Sequence, residues 1–301
     1  MDADNDSPRT DALVQLAARH GLTVRPDGMR VIEAGLDYQV ALATDDDGDG
    51  WVLRVPRRAD VAAKIQDERR ILDFAAPHLS VAIPDWRIAT GELIAYPLLP
   101  GEPGLTLDDD GAPVMHFDSD APAYLRSFGR LLAELHTADV EEARGAGLVV
   151  ETSEIVRSAW RDRFDAAVAE FDVPTDARER WDRWIDDDSM WPEDMRFSHG
   201  ELYPAHLLLG ADAGILAVLD WTTAKVTDPV ADFALQQSLS TPEEFGILLD
   251  AYREAGGAVP ERLAERGTAL LSASALAYVE FALLTGEQQH REAAQAFLDA
   301  G

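Results

Sequence analysis

The spacing of apolar residues divides the chain into a sheet-rich part and a helical part. Short β-favouring runs bounded by turn residues predict strands, and apolar residues three or four positions apart predict helices. The predicted strands are 23–25, 29–34, 38–44, 51–55, 86–89 and 93–96. The predicted helices are 11–20, 60–76, 121–136, 154–171 and 176–185, with further helices after 221. This order of elements predicts an α+β fold with two lobes and a cleft between them.

Proline and glycine mark the boundary between the two parts. Three prolines and two glycines fall within residues 97–104, which we interpret as a hinge or linker. We therefore expect a small antiparallel sheet lobe over residues 1–96 and a large, mainly helical lobe over residues 105–301. Within the second lobe, residues 108–120 are predicted to form an acidic loop, and residues 196–221 a strand-rich island among helices.

The chain carries 26 Lys and Arg residues against 56 Asp and Glu residues, a formal net charge of −30. Such a charge repels nucleic acid and anionic membrane surfaces, so we expect neither as a partner. The absence of cysteine excludes disulfides, thiolate metal sites and thiol nucleophiles. Residues 1–10 lack the features of a signal peptide, and polar residues interrupt the most apolar stretch, 269–284, so we expect a cytoplasmic protein without a membrane-spanning helix.

The strand-rich island contains two carboxylates and a histidine in a pattern that suits phosphoryl transfer. Glu201 begins a loop that ends at His206, and a predicted hairpin then brings Asp220 to the end of an apolar strand. Phosphoryl transfer uses one carboxylate to orient the nucleophile and another to hold the metal ion that bridges the phosphates. Carboxylate oxygens suit Mg²⁺, whereas histidine is a less usual ligand that binds it directly or through water.

The same segments resemble the catalytic and metal-binding segments of the protein-kinase-like antibiotic phosphotransferases. Residues 199–206 are similar to the family's catalytic loop H-G-D-x-x-x-x-N, with Glu201 at the aspartate position and His206 at the asparagine position. The run 220–228, Asp-Trp-Thr-Thr-Ala-Lys-Val-Thr-Asp, resembles the macrolide 2′-phosphotransferase branch, whose members also carry histidine at the position of His206. Residues 35–38 and 53–58 are similar to that branch as well.

This resemblance implies a two-lobed, protein-kinase-like fold and an enzyme that uses GTP, or ATP, together with Mg²⁺. The γ-phosphate would be transferred to the 2′-hydroxyl of a macrolide amino sugar, an activity that confers macrolide resistance. By the same resemblance, Glu201 orients and deprotonates the hydroxyl, His199 braces the loop, and His206 and Asp220 hold Mg²⁺. Glutamate in place of the family's aspartate moves the carboxylate outward by about 1.5 Å. A displacement of this size costs about 10²-fold in rate unless the loop backbone compensates.

On the nucleotide side, Arg54 of the predicted third strand and Glu68 of the following helix match a pair that kinase folds use near the phosphates. Arginine here replaces the usual lysine, and Lys64 is the alternative cation. The resemblance adds Asp37 and Tyr38, which lie in the first hairpin, to the nucleotide-binding residues.

The connector is where a purine would bind main-chain groups. Pro97 and Pro100 have no N–H, which limits the possible donors. The remaining donors are Tyr96, Leu98, Leu99 and Gly101. The macrolide branch is associated with GTP, whereas the sequence itself leaves GTP and ATP open.

On the acceptor side, the apolar helix around 270–284 contributes Tyr278 and Phe281 as candidate pocket walls. Asp228 and Asp232 are candidates for contact with the amine of the sugar, although Asp232 also fits a helix cap and Asp228 also fits a helix entry. The tryptophans of the helical part are interpreted as packing residues. These are Trp160, Trp181, Trp184 and Trp191.

Two other functional hypotheses remain open at this point. An aminoglycoside or another small alcohol as acceptor predicts a pocket lined by carboxylates, because aminoglycosides are polycations. A catalytically silent, kinase-like binding module predicts nucleotide or ligand binding without phosphate transfer, and the glutamate at position 201 is its support.

Overall fold

The computed structural model describes residues 7–32, 37–108 and 111–300 of the chain. Residues 33–36, which include the end of one predicted strand and the Gly35–Leu36 part of the family resemblance, lie outside the described residues. The elements of the first part are α1 (Ser7–Arg19), β1 (Val24–Ile32), β2 (Tyr38–Asp45), β3 (Gly50–Pro56), α2 (Ala59–Ala75), β4 (Ile88–Ala89) and β5 (Ile94–Pro97).

The second part contains short strands and most of the helices. Its strands are β6 (Glu102–Pro103), β7 (Leu105–Leu107), β8 (Pro113–Met115), β9 (Arg196–Ser198), β10 (Leu207–Leu209), β11 (Ile215–Val218) and β12 (Lys225–Thr227). Its helices are α3 (Pro122–His136), α4 (Val140–Gly145), α5 (Ser153–Glu170), α6 (Thr175–Asp186), α7 (Val230–Leu239), α8 (Pro242–Glu254), α9 (Leu263–Ser272), α10 (Ser274–Thr285) and α11 (Gln288–Ala300).

The first part is a five-stranded antiparallel sheet with strand order β1-β2-β3-β5-β4. Successive side chains of a strand point to opposite faces of the sheet. On β3, Leu53 therefore packs in the cluster that contains α1, while Val52 packs in the cluster that contains α2. The same alternation turns Arg54 towards α2, where it meets Glu68.

Residues 26–28, which separate the predicted strands 23–25 and 29–34, do not end a strand in the structure. Strand β1 runs through it, and the register with β2 shifts between Arg25 and Arg30. Gly28 has a φ of 79° there, a conformation that glycine adopts without the steric cost of a Cβ. The irregularity lets one long strand pair with β2 on both sides of the shift.

The strand-rich island forms the centre of the second part. Strand β9 pairs with β12, and β10 pairs with β11, so the two segments that carry the candidate chemistry leave neighbouring strand ends. Helix α3 packs beneath them against α8, where Gly129 lets the two helices approach so closely that a Cβ would overlap the backbone of α8.

Backbone pairing connects the two parts in addition to the continuous chain. Strand β6, which lies within the predicted linker, pairs with β10 of the second part. Ala82, between α2 and β4, forms an isolated bridge to Ala217 on β11, and its N–H donates to the Leu216 carbonyl at 2.9 Å.

Two further sequence-based expectations differ from the structure. The predicted acidic loop overlaps a hairpin, because β7 and β8 pair with each other on either side of Asp108. Residues Leu263–Thr285 are long and apolar enough to cross a membrane by length and composition alone, contrary to the expectation from the sequence. In the fold this segment is two helices, α9 and α10, whose residues Leu276 and Val279 are buried in a cluster with α5, α6 and α11.

Candidate active site

The loop that follows β9 is held by His199, whose two ring nitrogens are both engaged. Nε2 donates to the Leu219 carbonyl at 3.0 Å, and Nδ1 accepts the Glu201 backbone N–H at 3.3 Å. Complete burial lowers the pKa of His199 to about 4, so the ring is neutral at physiological pH. A neutral ring with both nitrogens occupied positions the loop and has no free atom for proton exchange.

Asp232 is a loop anchor, which corrects the expectation that it faces the amine of an acceptor. Its side chain is fully buried. The His199 N–H donates to Oδ2 at 3.0 Å, and the Gly200 N–H donates to Oδ1 at 2.6 Å. His136 Nε2 also donates to Oδ2, at 3.2 Å, and its Nδ1 lies 3.1 Å from the hydroxyl oxygen of Tyr252. Asp232 therefore acts on the loop from beneath and has no surface left for a substrate.

His206 connects the backbone of Glu201 to the carboxylate of Asp220. Its Nδ1 donates to the Glu201 carbonyl at 3.0 Å, because a carbonyl oxygen can only accept. In the neutral ring this leaves the lone pair on Nε2, and Nε2 lies 3.7 Å from Asp220 Oδ2. The backbone of Glu201, the ring of His206 and the carboxylate of Asp220 thus form a continuous group.

Asp220 has an unusual backbone conformation, with a φ of 57°. The left-handed region costs a non-glycine residue about 1–2 kcal/mol, which the surrounding fold must offset. Thr222 stabilises the residue, because its hydroxyl donates to Oδ1 at 2.6 Å. Burial opposes ionisation of Asp220, but the Thr222 hydrogen bond and the Arg54 charge, together with His206 when its ring is charged, hold the pKa of the carboxyl below its ordinary value. Asp220 is therefore an ionised carboxylate that faces the cleft.

The environment of the Glu201 carboxylate differs from that of the Asp220 carboxylate, although His206 contacts both residues. Glu201 is exposed, and no hydrogen bond engages its carboxylate among the described residues. Although the residue is exposed as a whole, partial desolvation of its carboxylate in the cleft raises the pKa of Glu201, and the negative charge of Asp220 raises it further. A charged His206 ring would oppose this rise. Asp220 is thus favoured as an anion, which a metal ligand requires. Glu201 has increased basicity, which a general base requires.

The donor set fits a divalent cation bound by two protein ligands. Within the described ranges, no group of three or more His, Asp or Glu side chains could hold a metal ion. His206 Nε2 and Asp220 Oδ2 offer one lone-pair nitrogen and one anionic oxygen with a 3.7 Å gap between them. Adjacent ligands of an octahedral Mg²⁺ ion lie about 3 Å apart, and Mg²⁺ usually takes one or two protein ligands together with substrate phosphates.

Arg54 and Glu68 form a buried ion pair on the other side of the cleft. Arg54 Nη1 lies 3.1 Å from Glu68 Oε1, and the guanidinium carbon lies 4.0 Å from the centre of the Tyr38 ring. Burial raises the pKa of the Glu68 carboxyl and Arg54 opposes that shift. Asp37, next to Tyr38, is exposed and pairs with Arg58 at 2.8 Å. Tyr38 thus supports Arg54 from behind, and Asp37 lies at the surface.

One of the expected purine donors is already occupied. The Leu98 N–H donates to the Gly50 carbonyl at 2.8 Å, which corrects its assignment as a free donor. Tyr96 is buried on β5, paired with Val52. Leu99 and Gly101 are the expected donors whose N–H groups make no hydrogen bond with any other described residue.

A cavity of about 890 Å³ adjoins this group. Gly200, Thr222 and Glu68 line it, so it reaches both the catalytic loop and the ion pair. Three tryptophans that we expected only to pack also line it, namely Trp160, Trp184 and Trp191. Their rings contact one another with centroid distances of 5.4 and 4.9 Å. Trp181, in contrast, is buried in the interior as expected.

The remaining acceptor candidates do not face this cavity with free groups. Tyr278 and Phe281 are absent from its lining and pack on α11 instead, against Phe297 and His290 respectively. Both oxygens of Asp228 are occupied, because Oδ1 accepts the Val230 N–H at 3.0 Å at the start of α7 and Oδ2 lies 2.5 Å from Arg266. The helix-entry alternative for Asp228 is therefore the one that the structure supports.

Comparison with known proteins places this geometry in a family. A model of the phosphotransferase enzyme family matches residues 28–266, well over half of the chain. The chain belongs to this family. The family and the two-lobed fold predicted from the sequence are thus confirmed, and the protein is a phosphotransferase.

Three solved structures and one curated sequence are similar to this phosphotransferase. Macrolide 2′-phosphotransferase MphH from Brachybacterium faecium is 48% identical, with a TM-score of 0.90 over 97% of this chain and 98% of the other. A macrolide 2′-phosphotransferase type I is 38% identical, with a TM-score of 0.88 over 96% of each chain. The GDP complex of aminoglycoside 2′-phosphotransferase-IIIa is 16% identical, with a TM-score of 0.76 over 96% of each chain, and shares the fold. The uncharacterised protein YcbJ of Bacillus subtilis (strain 168) is 36% identical over 95% of this chain and 94% of its own length.

Proposed function

We propose that this phosphotransferase transfers the γ-phosphate of GTP, or of ATP, to the 2′-hydroxyl of a macrolide amino sugar and so confers macrolide resistance. The observation that carries the proposal is the link from Glu201 through His206 to Asp220, which in turn faces Arg54 across the cleft. A cavity large enough for a bulky acceptor opens beside this link. The 48% and 38% identity to two macrolide 2′-phosphotransferases supports the choice of acceptor.

Each group in the link has a distinct task in this proposal. The Glu201 carboxylate orients the acceptor hydroxyl and takes its proton, for which a raised pKa is favourable. Asp220 and His206 Nε2 would hold Mg²⁺, which would supply positive charge to the phosphates. Arg54 binds the phosphates and is fixed by Glu68, and the N–H groups of Leu99 and Gly101 are the donors available to the purine. His199 and Asp232 keep the loop in place.

The charges around the cavity favour a macrolide over an aminoglycoside. Its lining contains five basic side chains, Lys64, Arg70, Arg163, Lys225 and Arg266, and four acidic ones, Asp67, Glu68, Glu151 and Asp228. Every one of the four carboxylates is paired with a cation, as in the 2.6 Å contact between Lys225 and Glu151. A polycation needs uncompensated carboxylates, whereas a largely apolar acceptor suits a wall of three tryptophans.

The experiment is a nucleoside diphosphate release assay with GTP and with ATP against a panel of macrolides and aminoglycosides. We expect turnover with macrolides, and phosphorus NMR of the product should place the phosphate on the 2′-oxygen of the amino sugar. Nucleotide consumption with aminoglycosides and not with macrolides would favour an aminoglycoside as the acceptor. Nucleotide binding without consumption in any mixture would favour the silent binding module.

Variants test the two carboxylates in the same assay. Glu201→Gln should lower kcat by about 10²- to 10⁴-fold, the usual contribution of a general base. Asp220→Asn should remove activity that added Mg²⁺ restores only in part. The matched control is Glu243→Gln, an exposed carboxylate in the first turn of α8, which should leave the rate unchanged. Wild-type rates in Glu201→Gln would contradict the assignment of the base.

We also propose that residues 1–96 bind the nucleotide, that residues 97–104 connect the lobes, and that residues 105–301 bind the acceptor. The exception is α2, which belongs to the first lobe but lines the acceptor cavity.

A further inference from the structure

Helix α2 belongs to the first lobe, yet one of its faces lines the acceptor cavity. Lys64, Asp67, Glu68 and Ile71 follow the three- and four-residue spacing of a single helix face, and Arg70 lies beside them. The opposite wall comes from the second lobe and includes Gly147. The cavity therefore lies between the lobes, and an acceptor that fills it must contact both.

Lys64 and Arg70 give this wall a defined chemistry. Arg70 pairs with Asp67 one turn before it, and a Cβ at Gly147 would lie 3.8 Å from Arg70 Cδ, so the arginine stem reaches the backbone of the second lobe. Among the described residues, Lys64 has no carboxylate within 4.0 Å. Both side chains are exposed hydrogen-bond donors with no acceptor atoms, so they suit the hydroxyl and carbonyl oxygens of a neutral, oxygen-rich ligand.

Glu68 connects this wall to the nucleotide side. It lines the cavity and at the same time holds Arg54 at 3.1 Å. Glu68 lies on the same rigid helix as Lys64 and Arg70, so a ligand that fixes α2 also fixes the position of the Arg54 guanidinium.

We propose that Lys64 and Arg70 bind oxygens of the acceptor and that this contact, through α2 and Glu68, couples acceptor binding to nucleotide binding. The inference rests on the proposed function. It assigns Lys64 to the acceptor and not to the phosphates, in contrast to the expectation from the sequence. Binding of either substrate then favours the lobe arrangement that the other requires, and the coupling must be the same in both directions.

The chain supplies a matched control for the test. Arg69 is adjacent to Arg70 on α2 but lies on a different face, where it pairs with Asp73 at 3.4 Å and lines a separate pocket of about 280 Å³. Arg69→Gln and Arg70→Gln therefore remove the same charge from the same helix, on different sides. Arg70→Lys retains a donor at the cavity, and Lys64→Gln tests the second cation.

The measurement is isothermal titration calorimetry of a non-hydrolysable GTP analogue, or of its ATP counterpart if ATP is the better substrate. It is made with and without a saturating amount of the macrolide that the wild type phosphorylates fastest, and the reverse titration gives the Kd of the macrolide. We expect the macrolide to tighten nucleotide binding about 5-fold or more in the wild type, in Arg69→Gln and in Arg70→Lys. We define the coupling factor as the nucleotide Kd without macrolide divided by the nucleotide Kd with macrolide. In Arg70→Gln and Lys64→Gln we expect weaker macrolide binding and a coupling factor close to 1. The nucleotide Kd in the absence of macrolide and the Tm should be unchanged in both variants.

The outcomes separate this inference from the function on which it rests. A coupling factor in Arg70→Gln equal to that in Arg69→Gln, or no coupling in the wild type, overturns the inference while macrolide phosphorylation stands. Unchanged macrolide affinity in both Arg70→Gln and Lys64→Gln overturns it as well. Failure of the wild type to phosphorylate any macrolide overturns the proposed function itself.

Discussion

Replacement of Asp232 by asparagine should remove the support of the catalytic loop while leaving its chemical groups in place. In the wild type the carboxylate accepts the N–H groups of His199 and Gly200 and the Nε2–H of His136, on two oxygens. Asparagine keeps one acceptor oxygen. Its amide NH₂ would then face a donor N–H at the second position, because every neighbour of this carboxylate donates.

The magnitude follows from burial and from the number of bonds. A hydrogen bond to a charged group contributes about 1.5–3 kcal/mol, and Asp232→Asn removes at least one such bond. We therefore expect Asp232→Asn to lower the free energy of unfolding by about 1.5–3 kcal/mol. For a chain of this size, that corresponds to a fall in Tm of roughly 3–9 °C. We also expect kcat to fall by about 10²-fold, because a loop displaced by about 1 Å misplaces Glu201.

Differential scanning fluorimetry and steady-state kinetics measure the two effects. Asp250→Asn is the matched control, since Asp250 is an exposed residue of α8 whose ion pair with Arg253 is solvent-screened. We expect this control to stay within about 1 kcal/mol of the wild type. If Asp232→Asn is no less stable and no slower than Asp250→Asn, the anchoring role is refuted.

Three further predictions follow from particular residues. The acid limb of kcat/KM should lie above the ordinary pKa of a glutamate, because the pKa of Glu201 is raised and only the ionised carboxylate accepts a proton; a pH profile whose limb lies at the ordinary value would contradict this. Mg²⁺ titration of Asp220→Asn should show at least a 10-fold higher half-saturating concentration than the wild type, and an unchanged curve would exclude Asp220 as a ligand. Gly129→Ala should destabilise the protein by about 1–3 kcal/mol or more, because the new Cβ overlaps the Leu248 carbonyl, whereas Gly246→Ala, in the open on α8, should stabilise it by up to about 1 kcal/mol; equal Tm changes in the two variants would show that the close α3–α8 contact is unimportant.

Much of the fold was predictable because its patterns are local. Strand β3 and helix α2 differ from their predicted bounds by one residue at each end, since alternation in one and a 3.6-residue period in the other are clear. The contact between Arg54 and Glu68 follows from the same two patterns. The hairpin of β7 and β8 was not predicted, because strands of three residues are too short to show a period and acidic residues separate them.

The candidate site was predictable where sequence spacing fixes geometry and not where distant segments meet. Asp232 lies 33 residues from the His199 N–H that it accepts, so nothing in its own surroundings distinguishes an anchor from a ligand. Tyr278 and Phe281 lie on a helix that is apolar on nearly all sides, and such a helix gives no information on which face meets a cavity. Trp160, Trp184 and Trp191 were interpreted as packing residues in preference to a stacking platform, because the sequence does not show that their separate segments meet at one cavity.

The attachments between the lobes restrict how the enzyme can move. Pairing of β6 with β10 fixes the connector at Glu102, which leaves residues 98–101 as the bendable part of the chain between the sheets. The bridge between Ala82 and Ala217 ties the first lobe to β11 at a second point, close to the strand end that carries Asp220. Two fixed points define an axis, so the lobes should open and close by a single rotation about it. Groups near the axis then keep their spacing, and groups far from it move the most. A ligand can then enter or leave the cavity while the atoms near the rotation axis, at the strand end that carries Asp220, keep their separation.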